Sequence, residues 1–110
     1  MAEKPKPVIA QEWEESERGW GVRPDGLSLH LNDHDRVQFI KRQQERQRRY
    51  FEELGITDTP DEYTRPRGAG AIIDVNARIY ADVRKHQYGC HTKYQSIAHA
   101  GDLSKPEAGI

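Results

Sequence analysis

Residues 76–89, NARIYADVRKHQYG, decide the fold, because they fit two different elements. Ile73, Val75, Ala77, Ile79, Ala81 and Val83 alternate with the period of two of a long strand. Asn76 as N-cap, a face of Ile79, Tyr80 and Val83, and Gly89 as terminator describe a short helix instead. Ala, Arg, Asp and Lys fill the interior, a mixture that strands disfavour, so helix is the reading adopted. It separates GAIIDV (70–75), a short buried strand between turn residues, from CHTKYQSIA (90–98), whose alternation predicts a final strand.

Upstream, LNDHDRVQFIKRQQERQRRYFEELG (31–55) is a longer helix. Asn32 supplies an N-cap, Asp33 and Asp35 suit the positive helix end, and Gly55 supplies a left-handed stop. Val37, Ile40, Gln44, Gln47, Phe51 and Leu54 recur at spacings of three and four. The two ends of that face are apolar and its middle is glutamine, so the central turns are expected to protrude or to meet a polar partner. Before it, LSLHL (27–31) reads as a strand with Leu27, Leu29 and Leu31 on one face, and QEWEESERGW (11–20) as an edge strand.

The order β-β-α-β-α-β predicts a small α+β domain, with helices on one side of a mainly antiparallel sheet. Residues 1–10, with two Lys-Pro pairs, and 100–110, ending in Gly, Ser and Pro, read as flexible tails around a single domain at 11–99. The chain has 110 residues, 35% of them hydrophobic, and a mean hydropathy of −0.99, so its core must be thin. A short sheet also exposes an edge, which makes a homodimer an expectation.

Formal net charge is −1, which supplies no global field toward nucleic acid or membranes. Charge is nevertheless segregated, with Glu12, Glu14, Glu15 and Glu17 against Arg36, Lys41, Arg42, Arg46, Arg48 and Arg49. The single cysteine, Cys90, points to a reducing compartment, and no apolar run resembles a signal peptide or membrane span, so a cytoplasmic location is expected.

Candidate sites are few. RPDGLSLHL (23–31) and RPRGAGAII (65–73) each place Arg-Pro-x-Gly before an apolar run, which is ordinary turn chemistry. Were the following strands neighbours, Arg23 and Arg65, with Arg18 and Arg67 nearby and Trp20 as a stacking surface, would form an anion site. KRQQERQRR (41–49) offers Arg42, Arg46 and Arg49, together with Trp20 from the loop upstream, to a protein partner, and its basic residues alternatively to phosphates. His86, Cys90, His91 and His99 lack zinc-site spacing, so neither a metal nor another cofactor is expected. Cys90 beside His91 is no nucleophile–base pair, since strand neighbours point to opposite faces, and Ser16 and Ser28 lack an oxyanion-hole signature. No catalytic residue is assigned.

ERGWGVRPDGLSLHL (17–31), with the downstream DEYTRP (61–66), resembles small accessory proteins carried by tailed bacteriophages, over roughly residues 11–40 and 60–75. This chain departs from that group in its long Arg/Gln helix. The resemblance implies a setting, since such proteins often bind and block a host component, and it carries no functional residue across. The expected function is a non-catalytic accessory protein that binds and inhibits or redirects a host protein, in the host cytoplasm. The alternatives are a small-anion or nucleotide-signal binder using the clustered arginines, and a nucleic-acid binder using the basic helix.

Overall fold

The computed structural model describes residues 4–17, 21–55, 63–92 and 97–106. Its sheet is organised by β1 (Lys6–Glu17), which lies between β2 (Gly21–His30) and β3 (Tyr63–Val75), with β4 (Cys90–Thr92) beyond β2. All three ladders are antiparallel, and the chain order is β-β-α-β-α-β as expected. The first strand is thus central and not an edge strand. The outer strands are β3 and β4.

Residues directly opposite in a ladder share a face, so the register sorts the side chains. Val8, Ala10, Leu27, Leu29 and Val75 meet Ile79 and Val83 of α2 (Ala77–Lys85), and Ala100 and Leu103 of a 3-10 helix at Ile97–Ser104. This is the apolar core. Asn76 caps α2 as expected, its side chain accepting the Ile79 amide at 2.8 Å, and the strand alternative for 77–87 falls away. The apolar face of α2 can then cover one side of the sheet, which a strand there could not.

Helix α1 (Asp33–Glu53) covers the opposite face, so the helices flank the sheet on both sides. Asn32 accepts the Asp35 amide at 2.8 Å, and Gly55 follows with φ 75°. The inward face differs from the expected one. Phe39 is the helix's buried residue, whereas Gln44 and Leu54 are exposed.

Both expected tails are partly structured. Strand β1 begins at Lys6 and buries Val8 and Ala10, because three apolar residues after the Lys-Pro pairs extend the strand into the core. Leu103 is fully buried and its carbonyl accepts the Asn76 amide, so the 3-10 helix closes the core from beyond residue 100. Of the final strand expected at 90–98, the described residues show Cys90–Thr92, and Ile97 already belongs to the 3-10 helix; residues 93–96 lie outside the described residues. Leu31 is exposed because β2 ends one residue before it.

The two Arg-Pro-x-Gly motifs are bulges inside strands and not turns before them. Glu12 opposes Leu27 while Glu14 opposes Pro24, so β2 carries one extra residue there; Gly26 has φ 101°. Ala10 opposes Ala71 while Glu12 opposes Arg67, so β3 carries two, and Gly68 has φ 69°. The positive φ that suggested a turn is what a bulge glycine also needs. The side chain of Gln11 fills the second bulge, donating to the carbonyls of Arg67 (3.2 Å) and Gly68 (2.9 Å).

Candidate functional site

Between α1 and the sheet lies a set of aromatic and polar contacts. Phe39 stands edge-on to Trp13, His30 and His91, with ring centroids 6.1, 5.0 and 5.0 Å away. Beneath it runs a buried chain of hydrogen bonds. Trp13 Nε1 donates to Ser28 Oγ at 2.7 Å, Ser28 Oγ lies 2.7 Å from His30 Nε2, and His30 Nδ1 lies 2.6 Å from the Tyr88 carbonyl.

That chain admits one proton arrangement. The indole N–H can only donate and the Tyr88 carbonyl can only accept. His30 therefore carries its proton on Nδ1, and the Ser28 hydroxyl donates to Nε2. Ser28 and His30 have the spacing of a nucleophile–base pair, but both are fully buried and the Trp13 N–H occupies the hydroxyl. The arrangement is a positioning relay that holds the segment after α2. Tyr88 there has φ 66°, and a Cβ on Gly89 would strike His30 Nδ1 and the Leu29 carbonyl. Burial lowers the His30 pKa, with the Tyr88 hydrogen bond opposing and Arg36 assisting; desolvation also lowers that of His91, against Asp25.

Beyond Phe39 the helix stands off the sheet. At 21 residues it is about 31 Å long, yet its later turns leave three open grooves. The first, about 630 Å³, runs between Phe39, Arg42, Gln43 and Arg46 of α1 and Asp82, His86 and Gln87 near the end of α2, past Cys90 and His91. The second, about 370 Å³, shares Gln43, Arg46 and His91 with it and reaches Trp13, Asp25 and Gln47. The third, about 280 Å³, shares Gln47, Tyr50 and Thr64 with the second and ends at Glu15 and Glu17. Together they form one trough beneath the glutamine-rich middle of α1. Gln47 crosses it, donating to the Thr64 carbonyl (3.1 Å) and accepting its amide (2.7 Å).

The trough is electrically uneven. No carboxylate among the described residues pairs with Arg42 or Arg46, although Arg42 lies 5.2 Å from the Tyr88 ring centroid. Arg48 is bound by Glu45 and by Glu52 (2.5 Å), and Arg49 by Glu45 at 3.2 Å. Desolvation, with Asp82 nearby, pushes the Cys90 thiol up to about 11, so it is a neutral thiol near pH 7. Among the described residues no cluster of His, Cys, Asp and Glu is arranged to hold a metal ion.

Among the described residues the candidate anion site is not assembled. Arg23 opposes Glu15 and Arg65 opposes Glu14, and successive residues of β1 point to opposite faces. Arg23 and Arg65 are therefore on opposite sides of the sheet. Arg23 is held by Glu15 (2.8 Å) and Glu17, and Arg65 by Glu14 at 2.5 Å. Arg67 is exposed opposite Glu12. Arg18 and Trp20 lie outside the described residues, as do Asp61 and Glu62.

Of the helical arginines singled out in the sequence, Arg42 and Arg46 reach the trough and Arg49 is spent on Glu45. Phe39, Gln43 and Gln47 were not anticipated as site residues, and His91 was considered only as a metal ligand or a partner of Cys90. Gln47, a glutamine in an otherwise apolar seam, was the one visible sign. No described helix is long and apolar enough to cross a membrane. No family model, curated protein or solved structure matches the chain.

Proposed function

We propose that this chain is a non-catalytic binding protein that engages a protein partner along the trough beneath α1, with Arg42 and Arg46 as its charged contacts. One observation carries the reading: a long helix with a single buried side chain, Phe39, and, at the mouth of the gap beneath its later turns, two guanidiniums that no described carboxylate pairs. Uncompensated arginines beside aromatic surface are what interface anchors are made of. Meanwhile the Ser28–His30 pair is sealed and the Cys90 thiol is held neutral, which leaves no exposed nucleophile among the groups described above. The phage-like block at residues 17–31 supplies the setting, in which the partner is a host component that is inhibited or redirected.

Capture from a bacterial lysate tests this, comparing the native chain with Arg42→Glu/Arg46→Glu. The native chain should retain specific host proteins that the variant, with unchanged circular dichroism, loses. Equal capture by both forms would remove the trough from the interface.

A further inference from the structure

The first groove has a geometry that goes beyond a general docking face. Its walls come from α1 and from the end of α2, which cover opposite faces of the sheet. A groove shared by both must pass round the sheet's edge, and the strand at that edge is β4. Cys90 and His91 of β4 line it, and among the described residues no strand pairs with β4's outer side. A strand's outer side presents backbone amides and carbonyls ready to pair with another extended segment.

The walls specify what that segment must carry. Arg42 and Arg46 are four apart on α1, so their Cβ atoms are about 6 Å apart. Alternate residues of an extended chain lie about 6.6 Å apart on the same face. Two acidic residues separated by one position would thus each meet a guanidinium. The intervening side chains would point to the α2 wall, where Asp82 stands beside His86 and Gln87. A carboxylate there would be repelled, whereas neutral or basic side chains would not.

We propose that β4 accepts a fifth strand from a protein partner: an extended segment in which acidic residues, facing Arg42 and Arg46, alternate with neutral or basic residues facing Asp82. This rests on the trough being the binding face, and it adds the partner's conformation and its charge pattern.

The test uses the full chain and a fluorescent seven-residue capped peptide alternating Thr and Glu, read by anisotropy. Its affinity should exceed that of a peptide of the same composition with the glutamates contiguous by about tenfold, the factor set by losing one such charge contact of ~1.4 kcal/mol. Arg42→Glu/Arg46→Glu should abolish binding of the Glu peptide and confer binding of its Lys counterpart. N-methylation of one alternate set of peptide amides should abolish binding, and methylation of the other set should not.

Equal affinity for the contiguous peptide would overturn the strand geometry. Displacement by inorganic phosphate as effectively as by unlabelled peptide would make the site one for simple anions. A dimer of the chain alone, dissolved by the charge reversal, would show that a second copy takes the edge. If lysate capture depends on Arg42 and Arg46 while no alternating peptide binds, strand addition fails and the docking face stands; if capture ignores both arginines, the docking face itself fails.

Discussion

His30 should make this protein lose stability as the solution turns mildly acidic. The ring is fully buried, with Nδ1–H donated to the Tyr88 carbonyl and Nε2 accepting from Ser28. A second proton on Nε2 would face a hydroxyl that already accepts from Trp13. The hydroxyl would have to reverse and leave its own hydrogen without a partner, and a charge would be buried near Arg36. The folded-state pKa is therefore below the ordinary 6.5. In the interval between the folded and unfolded values the unfolded chain binds the extra proton. Stability is then complete above about pH 7.5 and falls as pH drops from 6.5 toward the folded pKa.

For one group the slope approaches about 1.4 kcal/mol per pH unit, so up to about 1.4 kcal/mol should disappear between pH 7.5 and 5.5. With a urea m-value of roughly 1–3 kcal/mol per molar, the midpoint should fall by about 0.5–1.4 M. Urea unfolding at pH 7.5, 6.5 and 5.5 measures this for the native chain, His30→Gln and His91→Gln. His91 is depressed in the same direction but is exposed, so His91→Gln should keep most of the slope and His30→Gln should lose most of it. A slope unchanged in His30→Gln would refute the buried relay as its source.

Further outcomes follow from the same contacts. Gly89→Ala places a methyl against His30 Nδ1 and the Leu29 carbonyl at φ 134°, and should lower stability by at least about 2 kcal/mol in urea titration. Phe39→Ala removes the one buried side chain of α1; about 3–5 kcal/mol should be lost, with hydrogen exchange accelerating along 33–53 ahead of β1. Leu103→Ala should cost about 2–5 kcal/mol, a loss that a dispensable tail would not show in thermal unfolding. Gln47→Ala removes two bonds to Thr64 and should speed exchange of that amide, with a global loss of about 1–2 kcal/mol.

Several elements could be read locally because their causes are local. An N-cap needs one side chain near the amide of the third residue on, so Asn32 and Asn76 mark both helix starts, and helix is preferred to strand for α2 because Ala, Arg, Asp and Lys fill its interior. The glutamines in the middle of α1 already said that its central turns do not pack on hydrocarbon, and the trough lies there.

What the sequence left open depends on which strands become neighbours. Arg-Pro-x-Gly has the same glycine requirement in a turn as in a bulge, and only the register with β1 distinguishes them. Arg23 and Arg65 look alike in sequence, yet pairing with adjacent residues of β1 sends them to opposite faces. Ser28 and His30 are simply two residues of one strand until Trp13, 15 positions earlier than Ser28, and Tyr88, 58 later than His30, close the relay. The groove at β4 likewise exists only because α1 and α2 cover opposite faces of the sheet and both overhang its last strand. Backbone propensity and capping act within a few residues and are written in the chain, whereas strand order and facing are set by packing across it.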